Sequence, residues 1–261
     1  MLNSAVYSQP IREASVFEPS SLALGGLIVL AAGLVQGLLG FGFALVAVPV
    51  LALVMVPREA VPVALVLGTF INLFLYLEVR GRVQARRLLP LVLAGIAGIP
   101  VGTYLLVSLN TGILRIAIGC LVALSALAFL AGLERPIKRE RIGLAASGFT
   151  SGILNGVASM SGPPVVLFLA NQGMPKDAFR ASLIAYFLVL NLATVPVYIV
   201  ARLVSVDVLA YAGVLLPLMA AGALAGSRLA RRVPEKAFRR AVLVAVAAAG
   251  VVAVVSGIRL V

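Results

Sequence analysis

Histidine is absent from the 261 residues, cysteine occurs once, and acidic residues number only nine. Without histidine there is no imidazole metal site, no Ser-His nucleophile pair and no Ser-His dyad of the intramembrane protease kind. The lone Cys120 lies inside an apolar run and can build neither a disulfide framework nor a thiolate metal site, so it reads as packing. The acids are Glu13, Glu18, Glu59, Glu78, Glu134, Glu140, Asp177, Asp207 and Glu235, all in the N-terminal tail, loops or helix ends. No carboxylate pair is placed within a membrane span for acid–base or metal chemistry. The expectation is a protein that is not an enzyme and carries no metal and no cofactor.

Charge is also scarce. Charged residues make up 11% of the chain and hydrophobic ones 62%, against about 25% charged in a soluble domain. Several apolar runs exceed the ~18 residues that mark a membrane span, which makes the bilayer the solvent. The net charge of +12 does not point to nucleic acid, because 14 of the 21 Lys and Arg residues sit in three short stretches between apolar runs. These are Arg80, Arg82, Arg86 and Arg87; Arg135, Lys138, Arg139 and Arg141; and Arg228, Arg231, Arg232, Lys236, Arg239 and Arg240. Positive loops of this kind mark the cytoplasmic side.

The first 21 residues are polar and mixed, with Arg12, Glu13 and Glu18, and lack the basic start and small-residue cleavage site of a signal peptide. They are expected to remain as a polar tail. Apolar runs follow at 22–56, 60–77, 88–109, 114–133, 142–171, 178–201, 206–229 and 238–261. As straight helices the first and fifth would be about 52 and 45 Å long, against a hydrocarbon core of roughly 30 Å. Both contain helix breakers, Gly40-Phe41-Gly42 in one and Ser161-Gly162-Pro163-Pro164 in the other.

The breaks occupy corresponding places in an internal repeat. A shift of 115 residues puts Gly33 on Gly148, Gly37 on Gly152 and Pro49 on Pro164. With slight drift, Pro57-Arg58-Glu59-Ala60 matches Pro175-Lys176-Asp177-Ala178, Asn72 lies near Asn191, and Gly98, Gly102 and Arg115 meet Gly222, Gly226 and Arg239. The division is a tail over 1–21, a first transmembrane repeat over 22–133, a basic cytoplasmic linker over 134–141 and a second repeat over 142–261. All three basic stretches share one side only if the second broken run crosses an even number of times. Each repeat then reads as a broken or re-entrant helix hairpin plus three transmembrane helices, the two in inverted topology with both chain ends outside. The fold class expected is an all-α membrane protein.

A buried site without carboxylates suits an anion, which helix N-termini can bind through free N–H groups and their partial positive charge. Ser161 reads as an N-cap, with Pro163 and Pro164 tolerated in the first turn of a half-helix running to about Asn171. Gly162 lets a ligand approach the backbone, and Asn155, Ser159 and Ser161 offer neutral donors. In the first repeat Gly40 and Gly42 open the break, Gln36 stands one turn before it, and Phe41 and Phe43 shape the cavity. Asn72 and Asn191 face the same cavity or join helices. The candidate substrate-binding set is Gln36, Gly40, Gly42, Phe43, Asn72, Asn155, Ser159, Ser161, Gly162 and Asn191. Thr69, Tyr186 and Thr194 are weaker candidates of the same kind. Gly33, Gly37, Gly148 and Gly152, spaced by four, read as helix-packing positions, and Arg180 reads as a snorkelling topology marker.

The pattern Gly33-x3-Gly37-x2-Gly40-x-Gly42 with Pro49, followed by Gly148-x3-Gly152, Ser161-Gly162-Pro163-Pro164 and Gly173-Met-Pro-Lys-Asp-Ala178, resembles the TauE/SafE permeases, also called sulfite exporters. The resemblance runs from about Leu22 onward. It implies a multi-pass carrier of the bacterial inner membrane for a small sulfur-containing anion such as sulfite, a sulfonate, sulfoacetate or thiosulfate. The segment Asn155-Gly156-Val-Ala-Ser-Met-Ser-Gly162 is less glycine-dense than is common there. The expected partners are that anion and the lipid bilayer, with no nucleic acid; a coupling ion, H+ or Na+, and a homo-oligomer stay open. An anion channel and a non-transporting membrane scaffold are the alternatives.

Overall fold

The structure is a computed structural model that describes residues 19–83, 85–130, 140–170, 172, 174–234 and 237. The expectations for the tail, for residues 131–139, for Asn171 and for the run 238–261 fall outside the described residues. Those residues form α1 (Pro19–Leu39), α2 (Phe43–Val54), α3 (Pro57–Val79), a 3-10 turn (Arg80–Arg82), α4 (Ala85–Ser108), α5 (Thr111–Leu130), α6 (Glu140–Ala158), α7 (Gly162–Ala170), α8 (Lys176–Val200) and α9 (Val206–Arg232). No strand occurs among them.

Among the described residues, five helices are long and apolar enough to cross a membrane: α1, α3, α4, α8 and α9. Their outer faces carry exposed Leu27, Leu93, Tyr104, Leu192 and Val200, an apolar surface suited to lipid. Cys120 is exposed on α5, which corrects its reading as a packing residue.

Both overlong runs are broken, and after each break the chain folds back. In the first, Gly40 and Gly42 have φ of 83° and 105°, left-handed values that a residue with a Cβ adopts only under strain. The return brings the Phe43 N–H back to the Gln36 side chain. In the second, Ser159 takes the left-handed turn at φ 54°, and the returning Ser161 carbonyl accepts a hydrogen bond from Ser151 Oγ at 2.6 Å. Gln36 and Ser151 thus brace the two returns from equivalent places.

Glycines set which helices touch. On α1, a Cβ at Gly37 would run into the carbonyl of Ala223 on α9, and on α6 one at Gly152 would strike the carbonyl of Gly95 on α4. Gly222 and Gly226 return the contact from α9 to α1, and Gly98 and Gly102 from α4 to α6. Backbones this close exclude lipid and maximise dispersion contact, which is what holds helices together where there is no water to expel. The first helix of each repeat therefore packs on the fourth helix of the other. Between these two pairs lie α3 and α8, the most buried of the five long helices.

Polar contacts fix the helix ends. Arg58 at the start of α3 donates to the carbonyls of Leu106, Val107 and Leu109 at the end of α4. Lys176 at the start of α8 donates to the carbonyls of Ala230 and Val233 at the end of α9. These are equivalent positions of the repeat, and a cation at a helix C-terminus satisfies orphan carbonyls and the negative dipole end. Arg82 pairs with Asp177, and Glu78 accepts from Arg231 and from Ser227. The end of α3, the start of α8 and the end of α9 consequently share one face of the molecule, which α3 runs toward and α8 runs away from.

Arg180 does not snorkel. It is buried at 6% exposure, and its guanidinium donates to the Gly37 carbonyl in the last turn of α1 at 2.7 Å. The stem packs against Gly40, where an added Cβ would come within 2.7 Å of Arg180 Cγ. The carbonyl it reaches lies in the last turn of α1, where a cation also meets the negative end of the helix dipole.

Candidate functional site

A cavity of about 390 Å³, its open mouth included, lies between the two breaks. The first return supplies Gln36, Gly42, Phe43, Ala44 and Leu45; the second supplies Ser159, Met160, Ser161 and Gly162; α3 contributes Ala64, Gly68 and Asn72; and α8 contributes Phe187 and Asn191. No acidic or basic side chain is among these residues.

Two helix N-termini open onto this space. In α2 the first helical bond is the Val46 N–H to the Gly42 carbonyl, so the Ala44 and Leu45 N–H groups precede any intrahelical acceptor. In α7 the helix begins at Gly162, and Pro163 and Pro164 have no N–H. The second N-terminus therefore offers the Gly162 N–H and its dipole, with fewer donors than an ordinary first turn.

The side chains add neutral donors. The Phe43 N–H donates to Gln36 Oε1 at 3.0 Å, and Gln36 Nε2 donates to Asn72 Oδ1 at 2.7 Å. Asn72 Nδ2 has no partner among the described residues and is not fully occluded, and the same holds for the Asn191 amide and for Ser161 Oγ. Such groups, in side chains more than nine-tenths buried, are costly to leave unbonded and are satisfied by whatever enters the cavity.

Eight of the ten expected site residues line this one cavity: Gln36, Gly42, Phe43, Asn72, Ser159, Ser161, Gly162 and Asn191. Gly40 stands behind the break against Arg180. Asn155 also lies outside the lining: its Nδ2 donates to Thr194 Oγ1 at 2.8 Å, tying α6 to α8. Thr194 and Thr69 return their hydroxyls to their own helices, at Leu190 and Leu65.

The family model described as Sulfite exporter TauE/SafE matches residues 25–253, nearly the whole chain. The chain belongs to the TauE/SafE sulfite exporter family. Among curated proteins and among solved structures, nothing matches. As a TauE/SafE protein it is a multi-pass membrane permease, and the family match spans both breaks and all the residues of the cavity.

Sequence reading passed over Ala44, Leu45, Ala64, Gly68, Met160 and Phe187, which complete the lining. A signal for several was present: Ala64, Gly68 and Asn72 recur every four residues, as do Phe187 and Asn191, so each set shares one helix face. Ala44 and Leu45 contribute through backbone N–H groups, which no side-chain pattern displays.

Proposed function

We propose that this TauE/SafE permease carries a small sulfur-containing oxyanion, such as sulfite, a sulfonate or thiosulfate, across the inner membrane by alternating access around the cavity between the two breaks. The observation that carries this reading is the convergence of two helix N-termini, the unpartnered Asn72 Nδ2 and the Asn191 amide on a space with no acid among its described lining residues. Such a lining favours negative charge without a buried cation, so the anion can also leave.

The rocking of one repeat against the other follows from inverted topology. In support, α3 and α8 occupy equivalent repeat positions, pack against each other and run in opposite directions relative to the face where Arg82 meets Asp177. The exchange of first helices, α1 onto α9 and α6 onto α4, joins each break to the opposite repeat.

Reconstituted protein should move at least one of sulfite, thiosulfate, sulfoacetate and a simple sulfonate, with flux that saturates. A panel that also includes simple carboxylates and shows no flux for any member overturns the assignment, and flux rising linearly with concentration favours a channel over a carrier.

A further inference from the structure

The lining contains an amide chain whose direction is not free. A backbone N–H can only donate, so the Phe43 N–H fixes which end of Gln36 is the oxygen. The other end is then Nε2, and its 2.7 Å contact fixes the facing atom of Asn72 as Oδ1. What is left for the cavity is Asn72 Nδ2, a donor with no partner among the described residues. Three carbonyl acceptors beside the cavity are engaged: Gln36 Oε1 by Phe43, Asn72 Oδ1 by Gln36, and the Ser161 carbonyl by Ser151 Oγ.

We propose that Gln36 sets the hydrogen-bond polarity of the cavity, and thereby restricts the substrate to oxyanions that carry no ammonium group. This rests on the anion reading above and narrows it. A zwitterionic aminosulfonate would bring an ammonium with three donors into a lining without acids. The Asn191 oxygen and the Ser161 hydroxyl can each accept from one of them, which leaves a donor unmatched and the charge without a counter-ion. A buried cation left with unmatched donors is strongly disfavoured. An alkylsulfonate of the same skeleton brings no such donors and meets the Asn72 Nδ2 and the helix N-termini.

The test uses uptake of labelled sulfite into proteoliposomes, with ethanesulfonate and taurine as competitors, since these differ only by the ammonium group. Wild-type protein should be inhibited by ethanesulfonate at a concentration at least ~10-fold lower than by taurine, a ratio equal to about 1.4 kcal/mol. In Gln36→Met, neutral and of similar length, residue 36 no longer donates to Asn72 Oδ1, which is then free to accept from a ligand in the cavity. That variant should shift the ethanesulfonate-to-taurine ratio toward taurine by ~10-fold or more.

Asn72→Asp is the second arm. Its carboxylate keeps the bond from Gln36 and exposes an acceptor, and the same shift is expected. A purely structural role for Gln36 would weaken both competitors alike and leave the ratio unchanged. Equal inhibition of the wild type by both compounds, or an unchanged ratio in both variants, overturns the inference while leaving the anion reading standing. Wild-type protein that neither takes up sulfite nor binds ethanesulfonate overturns both.

Discussion

Arg231 and Glu78, 153 residues apart in the chain, meet at 2.8 Å. The contact joins the end of α3 to the third basic stretch and, with Arg82–Asp177 and the Arg180–Gly37 bond, stitches the start of α8 and the end of α9 to the ends of α3 and α1 on one face. A carrier whose repeats rock must break such a face open in each cycle.

A disulfide placed there should stop transport. With Cys120→Ser removing the native thiol, Arg82→Cys combined with Asp177→Cys should cross-link under oxidation and abolish uptake, and a reductant should restore it. Full uptake by the cross-linked protein would mean that this face does not open.

Gly162 separates cavity space from packing. A Cβ there meets Phe41 and Phe187 no closer than 3.8 Å, ordinary contact distance. Gly162→Ala should therefore leave thermal stability unchanged in detergent. Gly162→Leu fills the cavity and should lower sulfite uptake by at least ~10-fold, equivalent to about 1.4 kcal/mol. Unaltered uptake in the leucine variant would place the substrate elsewhere.

The opposite result is expected at Gly152, where the added methyl would meet the Gly95 backbone, which cannot rotate away. Gly152→Ala should destabilise the protein by about 1–3 kcal/mol through overpacking. The measurement is the midpoint of thermal unfolding in one detergent, side by side with Gly162→Ala.

Arg180→Met keeps the length of the stem and removes the guanidinium. The Gly37 carbonyl then loses its charged partner, at a cost of about 1–3 kcal/mol. Arg180→Lys, which retains the charge, should recover part of that loss in the same unfolding assay.

Much of the fold was legible because membranes leave few choices. Runs too long for the bilayer, with Gly40, Gly42 and Ser161-Gly162-Pro163-Pro164 inside them, had to break, and the structure breaks them at 40–42 and 159–161. The four-residue glycine spacing likewise had to serve close helix contact, though only the structure names α9 as the partner of α1 and α4 as that of α6. Arg180 was misread because a base near a helix end normally reaches for water. Nothing local shows that the Gly37 carbonyl, 143 residues away, lies within reach.

By itself the sequence determined the solvent, the two breaks and most of the polar residues around them, since each follows from composition, length or spacing along one chain. The tertiary structure alone decided that Asn72 and Asn191 face one cavity while Asn155 turns aside to Thr194. It also decided that Phe43, through Gln36, aims an amide donor into that space. Hydrogen-bond direction depends on which groups meet across helices, and a one-dimensional pattern holds no record of that meeting.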